Sequence, residues 1–488
     1  MENPSNNSKS KLQSNLSFSI LYQVLLIFIP LFTAPYISRV LGATNIGTYS
    51  YTYSVAHYFV LFTMMGLVNY GTRSIANVAG NIQKRSAVFW QIYFLQLMAS
   101  AIAIFAYGIY ILCFKPENTL IVGIEGLYVI SAGLDITWFF NGISDFKSIT
   151  IRNLVIKFLT IAFIFCFVRT ENDLWKYTLI MCGGILLSQI IIWFPANKYI
   201  IWVKPKFDDV KRHIKPNIIL FSSAIAVSIY KIMDKIMIGL MSDYTQVGFY
   251  ENAEKITNLP TGIISAVGTV MLARMASMSD DEKCEEEKTI QSTLKIMMAL
   301  AIGISFGLSA ISQDLSVVFF GKEFAPTGEL LNYLGFVTIF LAWGNVIRTQ
   351  YLLPHKKDSL IVASVWVGAF INFSINYLLL PRMGAMGAVV GTLVTEACVA
   401  LIVSIYSSKK LKISHYFYSI IPYLLMGLVM WLIIRAINRL INSISIVEIL
   451  IDVLVGSCSY IIMLLLYSFA KNDEISTIVK QIIKKKEA

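Results

Sequence analysis

The first long apolar segment of the chain reads LSFSILYQVLLIFIPLFTAPYISRVL (residues 16–41) and carries one charged side chain, Arg39. A helix needs about 20 predominantly apolar residues to cross the hydrocarbon of a bilayer. Hydrocarbon offers no partner for free backbone groups, so an isolated segment of this kind crosses it as a helix. The opening segment therefore predicts a transmembrane helix.

The rest of the 488-residue chain continues in the same way, because 56% of its residues are hydrophobic and its mean hydropathy is +0.67. Charged residues make up 14%, whereas soluble proteins carry about 25%. The sequence predicts an all-α polytopic membrane protein with about 14 transmembrane helices. The predicted spans are 16–41, 46–71, 86–113, 118–140, 148–168, 175–194, 216–240, 247–274, 290–319, 329–353, 359–380, 386–407, 415–435 and 446–469.

The loop charges predict how the chain is oriented. An even number of spans places both termini on one side, and most Lys and Arg residues of the loops fall on that side. The opposite loops hold only Lys115, Arg169, Lys176, Lys322, Arg382 and Arg439. Because short cytoplasmic loops are rich in Lys and Arg, both termini are expected in the cytoplasm. The net charge of +11 is then a topology signal and not evidence of nucleic-acid binding.

A short repeat predicts two lobes. Leu41-Gly42 followed by Ile46-Gly47-Thr48-Tyr49 recurs as Ile238-Gly239 followed by Val247-Gly248-Phe249-Tyr250. Both copies begin at the same membrane face, which predicts a parallel repeat with its axis along the membrane normal. The expected organisation is an N-lobe of helices 1–6 (1–194), a basic cytoplasmic linker (195–215), a C-lobe of helices 7–12 (216–412), and helices 13–14 with a basic tail (413–488).

Sequence motifs for enzyme chemistry are missing. The chain contains no G-x-x-x-x-G-K-[ST] nucleotide loop, no H-E-x-x-H and no G-x-S-x-G, which are the signatures of nucleotide, zinc and acyl-transfer sites. We therefore expect no enzyme, no bound cofactor and no metal. Transport would draw on an H⁺ or Na⁺ gradient or on the gradient of the substrate itself.

Charges inside the predicted spans give the candidate site. A Lys, Arg or Asp at the centre of a span costs about 2.5–3.5 kcal/mol, so such residues usually face a cavity or a partner. The alternative is pairing within the bundle, Asp234 with Lys231 or Lys235 and Glu251 with Lys255. Near the cytoplasmic ends, a structural role is favoured for Asp135 and Arg348. The candidate cavity cations are Lys157, Lys231, Lys235, Lys255 and Arg348, and the candidate coupling carboxylates are Glu396, Asp234, Glu251 and Glu254.

Several stretches together resemble the Wzx-type flippases of O-antigen and capsule assembly, which belong to the multidrug/oligosaccharidyl-lipid/polysaccharide exporter superfamily. They cover roughly residues 15–410. The stretches are Pro35-Tyr36-Ile37-Ser38-Arg39-Val40-Leu41-Gly42, Tyr70-Gly71-Thr72-Arg73, Asp135-Ile136-Thr137-Trp138-Phe139-Phe140-Asn141-Gly142, Asp234-Lys235-Ile236-Met237-Ile238-Gly239, Val247-Gly248-Phe249-Tyr250-Glu251-Asn252-Ala253, Gln350-Tyr351-Leu352-Leu353-Pro354 and Gly384-Ala385-Met386-Gly387-Ala388.

The resemblance implies a multi-pass protein of the bacterial inner (plasma) membrane that moves undecaprenyl-diphosphate-linked oligosaccharide units to the outer leaflet. Its expected partners are that substrate, membrane lipids and a polysaccharide polymerase. Lys157 lies about 13 Å and Lys231 about 22 Å above the cytoplasmic ends of their predicted helices, at 1.5 Å per residue. With the two lysines in different lobes, the diphosphate would be held from both sides.

Two other functions are compatible with a chain of this kind. A drug or metabolite antiporter of the same superfamily should have an acidic cavity that binds organic cations. The excess of Lys over unpaired carboxylates inside the spans disfavours it. A membrane scaffold or a polymerase is disfavoured by the lobe repeat.

Overall fold

The computed structural model describes residues 4–276, 283–441, 445–471 and 476, and within these residues all regular structure is helical. The side chains of residues 4–28 and of 223, 224, 230, 273, 283, 284, 440 and 441 are outside the description. The chain divides into two compact units, residues 1–239 and 240–488.

The described residues of the first unit form ten α-helices. They are α1 (Pro4–Met64), α2 (Leu67–Ala76), α3 (Ile82–Phe114), α4 (Thr119–Leu134), α5 (Thr137–Gly142), α6 (Phe146–Phe167), α7 (Leu174–Ile191), α8 (Trp193–Ala196), α9 (Phe207–Lys211) and α10 (Ile214–Met241). The second unit contains α11 (Tyr244–Ala276), α12 (Lys283–Phe320), α13 (Ala325–Leu334), α14 (Val337–Ile347), α15 (Asp358–Met383), α16 (Ala385–Ser407), α17 (Ile413–Ile441) and α18 (Ile446–Lys471).

The long helix α1 is broken at one residue. Gly42 has φ 75° and ψ 170°, a backbone conformation that is strained for residues with a Cβ and readily adopted by glycine. The sequence places the junction between its first two spans at this Gly42, and the helical backbone is interrupted there. The two prolines inside α1, Pro30 and Pro35, leave no comparable change of backbone dihedrals.

The number of spans differs from the sequence estimate. Among the described residues, eleven helices are long and apolar enough to cross a membrane, and Phe207–Ile229 with Lys231–Met241, bent by 50°, would make a twelfth. The segment Ile29–Ala76 is one of the eleven although it contains the break at Gly42, and α11 is not among them. Fourteen spans and a two-lobe repeat therefore stay predictions.

The first unit extends beyond the predicted linker at 195–215, because α10 belongs to it. A Cβ built on Gly66 would lie 2.5 Å from the Cβ of Leu220, and one on Gly239 would lie 2.3 Å from the ring of Tyr51. The start and the end of α10 thus pack closely against α1 and its connection to α2. Lys231 and Lys157, which the sequence assigns to different lobes, both lie in the first unit.

Two of the signature stretches meet where α2 packs on α5. A Cβ on Gly71 would lie 2.6 Å from the ring of Trp138, and a Cβ on Gly142 would lie 2.6 Å from the Cβ of Ile75. Trp138 is fully buried and its indole N–H donates to Gln96 at 3.0 Å. Close packing between α2 and α5 therefore requires both glycines, Gly71 against the Trp138 ring and Gly142 against Ile75.

We expect Gly71→Ala to destabilise the protein by about 1–3 kcal/mol, because the added methyl group must displace a ring that has no free space. The matched control is Gly108→Ala in the interior of α3, where an added Cβ meets nothing within 4 Å. That change should be neutral or stabilising by up to about 1 kcal/mol, the helix-propensity difference between Ala and Gly. Thermal denaturation of the detergent-purified variants measures both effects. Equal melting temperatures would contradict the packing argument.

Candidate functional site

A polar seam lies between α6 and α7 in the first unit. The guanidinium of Arg152, which is 8% exposed, donates to the amide oxygen of Asn153 at 2.8 and 3.0 Å and to that of Gln189 at 3.4 Å. A Cβ on Gly184 of α7 would lie 2.7 Å from the Thr160 hydroxyl. The α6–α7 seam therefore comprises Arg152, Asn153, Lys157, Thr160, Ser188 and Gln189.

Lys157 lies halfway along α6 and on the side turned away from the exposed apolar residues. Ile151, Val155 and Phe158 are 45–56% exposed. Thr160 and Ile164, which follow Lys157 at spacings of three and seven on the same helix face, are 8% and 2% exposed. Lys157 itself is half-buried, and no hydrogen bond or ion pair of its ammonium group is found among the described residues. It is a mid-helix cation directed inward without an anionic partner.

The polar residues of α10 differ in exposure although their spacing places them near one another. Asp234 is buried, Lys235 is half-buried and Lys231 is exposed. Ser228 is also buried and its hydroxyl donates to the carbonyl of Ile225. Lys231 has no ion pair within the described part of the chain. Of the two cations in the second half of α10, Lys231 is therefore more exposed than Lys235.

In the second unit, the predicted pair on α11 is present. The ammonium group of Lys255 lies 3.3 Å from the carboxylate of Glu251 and 3.4 Å from the amide oxygen of Asn252. Lys255 was predicted as a cavity cation, but this arrangement gives it a structural partner on its own helix. Glu254 is half-buried one turn along from Glu251.

Arg348 and Glu396 are charged residues that lie inside helical spans of the second unit. Arg348 begins a π-helical turn, Arg348–Leu352, and such turns are frequent at functional sites. Glu396 lies at the middle of α16 and is 5% exposed. Neither side chain has a hydrogen bond or ion pair within the residues that the structure describes. Asp135, by contrast, has the structural role favoured for it, because its carboxylate accepts from the backbone N–H of Thr137 at 2.8 Å.

The sequence analysis did not single out Glu125, a fully buried carboxyl group on α4. One of its oxygens lies 2.8 Å from the hydroxyl of Thr52 on α1, and the other has no hydrogen-bond partner. The sequence feature that could have identified Glu125 is that it is an isolated acidic residue inside the predicted span 118–140. The same signal marks Glu396, but Glu125 is not among the candidates predicted from the sequence.

The second unit also contains an apolar groove between α12, α17 and α18, with a volume of about 600 Å³. Its lining is almost wholly apolar. It includes Gly303 and Gly307 of α12, Met430 of α17, and Gly456 and Tyr460 of α18. We call this feature the α12–α17–α18 groove.

The protein family follows from a comparison of sequences. Residues 12–279, more than half of the chain, match the family of polysaccharide biosynthesis proteins, and the chain belongs to this family. The resemblance inferred from the signature stretches is thereby confirmed.

Similar full-length proteins are known. A "Putative O-antigen transporter" from Shigella dysenteriae is 23% identical over 381 residues, 76% of this chain and 94% of the relative. A protein of the same name from Escherichia coli K12 is 22% identical over 401 residues, 81% of this chain and 96% of the relative.

Among solved structures, the lipid II flippase MurJ in an inward closed conformation matches with a TM-score of 0.72 at 14% identity. The match covers 94% of this chain and 100% of that structure. At this identity the likeness shows a shared fold. The chain is thus an all-helical, multi-pass membrane protein of the polysaccharide biosynthesis family.

Proposed function

We propose that this protein is a flippase for undecaprenyl-diphosphate-linked oligosaccharide units. The observation that carries the proposal is the inward-facing ammonium group of Lys157, which lies halfway along α6 and has no anionic partner among the described residues. Cations are costly inside a membrane and usually face a cavity or a partner. A diphosphate supplies negative charge and several acceptor oxygens, for which Lys and Arg are the usual ligands in proteins.

Three further observations support a lipid-linked substrate. The relatives are named O-antigen transporters, and the buried guanidinium of Arg152 adds a second cation to the α6–α7 seam. The α12–α17–α18 groove offers an apolar surface against which an isoprenoid chain can lie.

Lys231, Lys235 and Arg348 stay candidate contacts for the headgroup. In this proposal both termini lie in the cytoplasm, transport runs toward the outer leaflet of the bacterial inner membrane, and a polymerase consumes the product.

An ion gradient is the proposed energy source, and Glu396 is the first candidate for coupling among Glu396, Asp234, Glu251 and Glu254. Its carboxyl group is buried at the middle of α16 and has no cationic partner within the described residues, whereas Glu251 is engaged by Lys255. A buried carboxyl without a partner avoids a large desolvation cost by binding a proton or a metal cation. That property suits a residue that alternates between loaded and empty states.

We expect Glu396→Gln to abolish the dependence of transport on an imposed ion gradient while leaving the protein folded, because glutamine keeps the size and loses the ionisable group. Everted membrane vesicles with an imposed H⁺ or Na⁺ gradient provide the measurement. Glu329→Gln, at an exposed position of α13, is the matched control. Gradient-dependent transport at the wild-type rate in Glu396→Gln would rule this residue out.

Complementation tests the proposed function itself. The gene is expressed in a bacterium that lacks its own O-antigen flippase but retains the glycosyltransferases and the polymerase, and surface polysaccharide is measured. Restored polysaccharide without a change in drug sensitivity supports the flippase. Resistance to cationic drugs without restored polysaccharide would instead identify the antiporter of the same superfamily.

A further inference from the structure

Glu125 is enclosed within the first unit by residues from four helices. Its carboxyl group is 0% exposed and faces Thr52 on α1. Tyr107 of α3 and Cys182 of α7 belong to the same buried cluster as residues of α1 and α4. No ion pair of Glu125 exists in the described part of the chain, and one carboxyl oxygen has no hydrogen-bond partner.

The hydrogen bonds of Thr52 indicate the protonation state of this carboxyl group. The Thr52 hydroxyl oxygen lies 2.8 Å from Glu125 Oε1 and 2.9 Å from the carbonyl oxygen of Thr48. A hydroxyl group has one proton to donate, and a carboxylate and a carbonyl both only accept. If Glu125 is protonated, its O–H donates to the Thr52 oxygen while Thr52 donates to Thr48. In that arrangement each short contact has its own proton, whereas an ionised carboxylate would leave the single Thr52 proton to be shared between two acceptors.

Among the described residues, no cation acts on Glu125 to favour an ionised carboxylate. The titratable side chains nearby are neutral phenols, a thiol and an imidazole, and an ionised carboxylate without a cationic partner is costly in such a setting. The cation Lys235 of α10 acts electrostatically on His57, a neighbour of this site on α1. The titratable groups that interact electrostatically with Glu125 are Tyr49 and Tyr53 of α1, Tyr107 of α3 and Cys182 of α7. Behind them, Tyr128 of α4 packs on Tyr53 and contacts His57, and Tyr177 of α7 packs on Tyr49.

A hydrogen-bonded aromatic group adjoins this site. The Tyr128 hydroxyl lies 2.7 Å from Nδ1 of His57, and the Tyr128 ring stacks on Tyr53 at 4.6 Å between centroids. Tyr53 and His57 follow Thr52 on α1, and Tyr128 follows Glu125 on α4. The contact between α1 and α4 therefore contains both the carboxyl group and a further pair able to accept or donate a proton.

We propose that Glu125 is a proton-binding site of the first unit, loaded in the conformation described here. The carboxyl group gains one proton from one side of the membrane and returns it to the other when the α1–α4 contact opens. The coupling role of this proton rests on the proposed function, whereas the protonated state of Glu125 does not. The site is separate from Glu396, which lies in the second unit.

Infrared spectroscopy tests the protonated state without any substrate. In the purified full-length protein at neutral pH, the wild-type minus Glu125→Gln spectrum should contain the carbonyl stretch of a protonated carboxyl group. The wild-type minus Glu117→Gln spectrum, for an acid exposed before α4, should lack it. If Glu125→Gln does not fold, Glu125→Asp should shift the same band. Absence of the band, or a carboxylate band that changes only with Na⁺, would overturn the proposal.

The coupling role is tested by export in the complemented strain at matched protein levels. Glu125→Gln mimics the loaded carboxyl and cannot release a proton, so surface polysaccharide should fall about tenfold or more, whereas Glu117→Gln should match the wild type. Export by Glu125→Gln at the wild-type level would exclude coupling through this group. Failure of the wild-type protein itself to restore export would reject the flippase function, and the infrared result would still decide the proton site.

Discussion

Replacing Lys157 with glutamine is expected to lower surface polysaccharide by about tenfold to a hundredfold at matched protein levels. A hydrogen bond to a charged group contributes about 1.5–3 kcal/mol, and about 1.4 kcal/mol corresponds to a tenfold change. Lys157 has no partner among the described residues, so its removal leaves no known anion unpaired in the protein. The loss should therefore appear in transport and not in stability.

Two companion variants make this expectation specific. Lys157→Arg keeps the positive charge and should retain a substantial part of the export. Lys147→Gln removes an exposed cation from the first turn of the same helix and should have no effect. An equal melting temperature for wild type and Lys157→Gln would separate transport from folding. Wild-type export by Lys157→Gln would show that the substrate does not depend on this cation.

The parts of the fold that could be read from the sequence are those fixed by local chemistry. A segment of about 20 apolar residues is typical of a membrane-spanning helix, which pairs all of its backbone groups within the segment. The break at Gly42 follows from a dihedral angle that glycine tolerates. The signature stretch contains glycine at position 71 because a side chain there would collide with the ring of Trp138. At Gly42 and at Gly71, glycine is nearly the only residue type that satisfies the local requirement.

Contacts between residues that are far apart in the sequence could not be predicted from local patterns. The basic linker at 195–215 looked like a boundary, but close contacts at Gly66 and Gly239 place α10 in the first unit. The contact between Glu125 and Thr52 joins residues 73 positions apart in the sequence, which no local pattern predicts. Helical spacing identified the Glu251–Lys255 pair because both residues lie on one helix. Spacing within a helix is therefore informative, whereas contacts between helices require the structure.

The second large effect on export is expected from substituting Lys231. This substitution distinguishes a role in substrate binding from a role in charge pairing on α10. We expect Lys231→Gln to reduce export severely, since the exposed ammonium group has no ion pair among the described residues and is available to a phosphate. The decisive comparison adds Asp234→Asn to it, because Asp234 is buried one turn further along the helix.

If Lys231 only neutralises Asp234, removing both charges together should restore folding and export, since the cost of a buried charge pair arises when one partner is left alone. If Lys231 holds the diphosphate, the double variant should be as defective as Lys231→Gln, because the substrate has still lost its cation. Surface polysaccharide at matched membrane levels, with melting temperatures of both variants, distinguishes these outcomes. Full recovery in the double variant would remove Lys231 from the proposed substrate site and leave Lys157 as its principal lysine.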